Sequence, residues 1–212
     1  SMTLKLNGSS SGYTAIDAPA AAGSNTLVLP TGNGSAGQIL QTDGSGNLSW
    51  VDKPTSGVTE VDNWRQTANA DTAGADLTSG WERADGTLQN KLGTGMSESS
   101  GIFTFPSTGF WRVDFHLEWR KQNDAIRYGQ GIIMATANNG GAWTYLTYSS
   151  AHLGSDDNST AYTMSHACTF LDITDTSNHK VKFNVSVSET INMLGNSDSD
   201  RTHALFTKLA ET

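Results

Sequence analysis

Between Phe110 and Arg120 apolar and polar side chains alternate without interruption. Trp111, Val113, Phe115, Leu117 and Trp119 take the odd positions, and Arg112, Asp114, His116, Glu118 and Arg120 the even ones. A period of two over this length demands a strand with one buried face, because a helix would scatter these side chains around its axis. Burying the five odd side chains contributes on the order of 10 kcal/mol gross, at ~1.5–3 kcal/mol each, before ordering entropy is subtracted. His179–Ser188 repeats the pattern with Val181, Phe183, Val185 and Val187. Further strands are expected at about 61–67, 102–105, 128–136, 143–149, 160–173 and 202–209, separated by turn signals such as Asn138-Asn-Gly-Gly141 and Asp175-Thr-Ser-Asn178. Eight or so antiparallel strands in about 150 residues predict a two-sheet sandwich, most economically a jelly roll. No helical period of useful length competes.

Composition narrows the function classes. Only 16% of residues are charged while glycine numbers 22, which favours short strands and turns over helical surfaces. The net charge of −8 leaves no basic surface for nucleic acid or for an anionic membrane. No apolar run approaches ~20 residues, so membrane insertion is not expected. One cysteine, Cys168, excludes an intrachain disulfide framework.

The texture changes near residue 57. Residues 1–57 hold short apolar beats, Tyr13–Ile16, Thr26–Leu29, Gln38–Gln41 and Leu48–Val51, between Gly-rich turns such as Asp43-Gly-Ser-Gly-Asn47. Four-residue strands of this kind cannot bury a core alone. The segment is either a flexible linker or a strand-turn array that orders when several copies pack, and the regular beats favour the array. Trp50 and Val51 could plug its junction with the head or simply pack locally. The sequence thus predicts two parts, 1–57 as a shaft-like segment and 58–212 as a head.

Two resemblances accompany this reading. Thr14–Ala20, Leu27–Pro30 and Gly37-Gln-Ile-Leu-Gln-Thr-Asp-Gly-Ser-Gly-Asn-Leu-Ser-Trp50 resemble a module of bacteriophage tail fibres and related virion structural proteins of the marine phage type. Gly101-Ile-Phe-Thr-Phe-Pro-Ser-Thr-Gly-Phe-Trp-Arg-Val113 resembles the strand-turn-strand signature of complement globular heads and tumour necrosis factor proteins. Phe170–Val185 is similar to the later hairpin of that fold and Phe206–Leu209 to its closing strand, although Thr174-Asp175 stands where a Gly-Asp is usual. Together they imply an all-β homotrimer, with an N-terminal short-strand shaft and a C-terminal jelly-roll knob. The implied role is non-enzymatic: a virion appendage whose partners are other virion proteins and a host-surface glycan or protein. The alternative is a purely structural cap or decoration protein that does not touch the host.

Chemistry-bearing residues are sparse. No Gly-x-Ser-x-Gly elbow occurs, Cys168 falls mid-strand, and His116, His152, His166, His179 and His203 show no His-x-x-x-His spacing. No catalytic residue, metal centre or cofactor is therefore expected. His166, alternating with Met164 and Phe170, is expected to be buried or on a trimer axis. Asp156-Asp157 and Asp198 with Asp200 lie in polar loops, where solvated turn chemistry is their ordinary role and calcium the sharper option. The best recognition candidate is aromatic: a mobile turn at Asn138 and Asn139 beside Trp143 and Tyr145 on one strand face, with Asp156 and Asp157 as polar company. Flat rings stack on sugar faces while amides and carboxylates bind hydroxyls. Trp64 and Trp81 are expected to cover the core.

Overall fold

The computed structural model describes residues 3–53, 57–122, 125–154 and 160–212. They divide into two compact units, 1–55 and 56–212. In the first, β1 (Leu4–Asn7) pairs with β2 (Tyr13–Ile16), and β3 (Gln38–Thr42) with β4 (Leu48–Asp52), all antiparallel. The Thr26–Leu29 beat makes only one parallel bridge, Val28 to Asn47, in place of a strand. Turn chemistry closes the second hairpin. Asp43 Oδ1 accepts the backbone N–H groups of Ser45 (2.7 Å) and Asn47 (3.1 Å), while Asn47 Nδ2 donates to Oδ2 (2.6 Å). Trp50 lies over Gly34, where a Cβ would collide with its ring, and donates to the Gly32 carbonyl at 2.7 Å. It therefore packs within its own hairpin unit. The aliphatic side chains do not cover one another: Leu4, Leu6, Tyr13, Ile16, Leu27, Val28 and Leu29 are all more than half exposed.

The second unit is an antiparallel sandwich with no helix among the described residues. Its strands are β5 (Val61–Gln66), β6 (Ala70–Thr72), β7 (Ala75–Asp76), β8 (Trp81–Arg83), β9 (Ser97–Ser99), β10 (Ile102–Thr104), β11 (Gly109–Gln122), β12 (Ile126–Thr136), β13 (Thr144–Leu153), β14 (Thr160–Ile173), β15 (Lys180–Val187), β16 (Ile191–Met193) and β17 (His203–Ala210). One sheet runs β8-β5-β17-β11-β14, with β16 and β6 continuing beside β11; the other runs β9-β10-β15-β12-β13, with β7 on β15.

The alternation in β11 is realised in full. Trp111, Val113, Phe115, Leu117 and Trp119 face the second sheet and are at most 1% exposed, and Val181, Phe183 and Val185 of β15 meet them. Phe103 anchors the centre, with Trp64, Trp81, Phe183 and Phe206 packed around it at ring separations of 5.2–5.5 Å. Trp64 and Trp81 thus cover the core as expected. Gly131 sits where β12 passes Leu117; a Cβ there would run into Leu117 Cδ1, so the sheets approach closely only because that side chain is missing.

Two buried ionic clusters pin the short strands. Asp62 is 1% exposed and takes hydrogen bonds from Arg83, Trp64 Nε1 and the Met96 amide. Arg65, equally buried, reaches Glu82 (2.9 Å), Asp85 (2.8 Å) and Asp200 (3.7 Å). Asp200 is thereby committed to a guanidinium, and to Asn63 and Gln89 through Oδ2; it is not the solvated calcium-type ligand its loop suggested. Asp156 and Asp157 lie outside the described residues.

Candidate functional site

The turn at 138–143 is tied down by its own side chains. Thr136 Oγ1 donates to Asn138 Oδ1 (2.7 Å), which also accepts the Ala142 N–H (2.9 Å), and Asn139 takes φ 54° with its N–H on the Asn178 carbonyl. The amide oxygen of Asn138 is thus engaged within the turn.

Trp143 precedes β13 by one residue, and Lys182 Nζ lies 4.5 Å from its ring centre. Tyr145 and Lys182 both stand opposite Met134, so β13, β12 and β15 present a continuous outward row. Tyr148 joins that row for a reason absent from its spacing. Residues three apart on a regular strand point to opposite faces, but a register shift at Ile133/Met134 leaves Leu146 unpaired. The bulge returns Tyr148 to the side of Tyr145, with ring centres 5.8 Å apart in an edge-to-face pair. Burial and then Tyr148 push the Tyr145 hydroxyl above its ordinary pKa, so it stays a neutral donor. Asp76 closes the far end, bound by Lys182 Nζ (2.7 Å) and Asn184 Nδ2 (2.8 Å); these bonds outweigh burial and hold its carboxylate below the usual range. The result is a shallow aromatic platform with polar groups at one edge, suited to stacking on a flat ligand and not to enclosing a substrate.

The opposite sheet carries a second surface. Even-numbered residues of β11 and β14 and odd-numbered ones of β17 point outward. Phe110, Tyr162, Met164, Phe170 and Leu209 are there, each at least 45% exposed. The register aligns His203, His116 and His166 across β17, β11 and β14. Their rings stack, His116 to His166 at 4.0 Å and 7° and His116 to His203 at 4.6 Å and 9°. Burial, reinforced by the two flanking rings, lowers the His116 pKa to about 4, and burial likewise lowers that of His203. His166, expected to be buried or on a trimer axis, is not buried within the single chain; its side chain is 44% exposed, on the same outward face as Met164 and Phe170. Next to the row, Asp114 is 2% exposed and is gripped by Arg112 through two bonds (2.7 and 2.8 Å) and by His166 Nε2 (2.8 Å). Although burial raises a carboxylate's pKa, these bonds hold Asp114 below its ordinary value. Burial and the Asp114 contact push the Cys168 thiol up, so it is a poor nucleophile.

The histidine row was the group that sequence spacing missed. Its members are 50 and 37 residues apart and meet only through strand register; the signal available was one outward-phase histidine on each of three strands.

No protein-family model matches this chain, and no curated protein matches it. Solved structures do resemble it. The Eiger tumour necrosis factor of S. frugiperda superposes with a TM-score of 0.53 at 11% identity, covering 72% of this chain and 93% of that one. Murine APRIL at pH 5.0 gives 0.50 at 12% identity, covering 71% and 98%. At this identity the likeness is one of fold. With its two antiparallel sheets and their strand order, residues 56–212 form a jelly roll of the tumour necrosis factor type.

Proposed function

We propose that this chain is a non-enzymatic virion appendage protein of tail-fibre type, whose trimeric head attaches to a glycan or protein on the host surface. The observation that carries the reading is uncovered apolar surface. The outward face of β14 and β11 exposes Phe110, Tyr162, Met164 and Phe170, and the N-terminal hairpins expose nearly all their aliphatic side chains. Covering four such side chains contributes on the order of 5 kcal/mol gross per copy, because each is already partly covered in one chain. A closed ring of identical subunits covers the face of β14 and β11 and leaves the aromatic platform on the other sheet of the head free. The phage-type N-terminal motif supports the virion setting, and the platform of Trp143, Tyr145 and Tyr148 supports recognition.

Light scattering tests the assembly: a mass of about 67 kDa is expected, three times 22.5 kDa. A monomer removes the basis of the proposal. Recognition is tested on an array of capsular and lipopolysaccharide glycans and on fixed bacterial cells. Trp143→Ala combined with Tyr148→Ala is expected to weaken binding at least tenfold, about 1.4 kcal/mol, with the melting temperature little changed. Wild-type protein that binds neither glycans nor cells favours the structural cap.

A further inference from the structure

We propose that His116 and His166, with His203 beside them, form a binding site for one divalent transition-metal ion of the zinc, nickel or copper kind. The site goes beyond the attachment role, and its ligands come from a single chain.

Donor chemistry comes first. Three imidazoles from three neighbouring strands occupy one row, and ligand atoms of Asp114, His116 and His166 lie within 4.8 Å of one another. Imidazole nitrogens suit zinc, copper and nickel; calcium and magnesium prefer all-oxygen sites. Asp200 does not compete, since it is held by Arg65.

Tautomers are set from behind the row. His166 Nε2 faces a carboxylate oxygen of Asp114 at 2.8 Å, and His203 Nδ1 faces the Arg201 carbonyl at 3.3 Å. Both oxygens are acceptors, so those nitrogens carry the protons. The lone pairs then sit on Nδ1 of His166 and Nε2 of His203. A ring N–H given to a carboxylate or a backbone carbonyl is the usual support of a metal-bound histidine. Arg112 holds both oxygens of Asp114, which fits that carboxylate to the supporting role.

The remaining requirement is convergence. Two nitrogens on one tetrahedral ion at ~2.0–2.1 Å stand roughly 3.3 Å apart. The ring centres lie 4.0 and 4.6 Å apart and the rings are nearly parallel, so sharing one ion requires them to turn out of the stack about the Cβ–Cγ bond, a broad torsion in histidine. In the single chain the His166 ring is half exposed, between Met164 and Phe170 on the face assigned to subunit contacts, so the ion enters before the ring of subunits closes.

The test is calorimetric titration of the full chain, without an affinity tag, with zinc chloride and then nickel chloride. One ion per chain with a micromolar dissociation constant is expected. His116→Gln with His166→Gln should weaken it at least about tenfold, with far-UV circular dichroism and solution mass unchanged; His152→Gln, at an exposed position on β13, should leave it intact. Absence of binding up to millimolar metal, or binding that survives the double substitution, overturns the site. Either result leaves the mass and glycan measurements untouched, so this site and the attachment role fail separately. If the double variant does not fold, Asp114→Asn replaces it: exchanging the charged acceptor for a neutral amide, one end of which is a donor, should weaken binding about tenfold or more, and undiminished affinity overturns the proposal.

Discussion

Replacing Asp62 with alanine should destabilise the head by about 3 kcal/mol or more, measured by guanidinium unfolding and seen as a fall in melting temperature of roughly 10 °C. The carboxylate is 1% exposed and joins three segments. It takes Arg83 through Nε (2.9 Å) and Nη2 (3.2 Å), its own strand's Trp64 through Nε1 (2.8 Å), and the Met96 N–H (2.7 Å) from the stretch before β9. Arg83 in turn reaches the Met96 carbonyl and lies 4.6 Å over the Trp64 ring. Removing the carboxylate takes the partner from a half-buried guanidinium and from two N–H donors, of which that of Met96 is buried. Asp62→Asn should lose nearly as much, because its amide nitrogen would face donors. A loss below about 1 kcal/mol would mean the cluster relaxes at little cost.

The second large effect concerns assembly. Phe170→Glu together with Met164→Glu should convert a species of about 67 kDa into one of 22.5 kDa while leaving the sandwich folded. Both side chains point away from the core and are 64% and 63% exposed, so the isolated subunit tolerates charge at either. An interface does not: a carboxylate moved out of water among Phe110, Tyr162 and their counterparts costs several kcal/mol without a partner, and three copies repeat the penalty. Sedimentation velocity decides the outcome. A wild-type trimer that persists in the double variant would place the assembling surface elsewhere, on the N-terminal hairpins.

Much of the sandwich was legible before any coordinates. Eight strands, β5, β10 to β15 and β17, fall where alternation and turn residues put them, most plainly β11 and β15 with their period of two. The short strands β6 to β9 and β16 were not legible. Two or three residues hold no period, and they become strands only because a neighbouring strand offers them hydrogen-bonding partners, as β15 does for Ala75-Asp76. At the candidate surfaces, Trp143 and Tyr145 were visible as aromatic residues near a turn, whereas Tyr148 was not assigned to their face. The loop reading of Asp200 failed because its guanidinium partner is 135 residues away, on β5.

Local order in the chain therefore determined which residues turn inward, where strands stop, and that a two-sheet sandwich results, since side-chain period and turn chemistry act over a few residues. Tertiary structure alone decided which distant side chains meet. Strand register stacked His203, His116 and His166, and one unpaired residue at Leu146 moved Tyr148 to the face of Tyr145. A one-residue change of register exchanges the two faces of a strand, and register is set by the packing of the whole core.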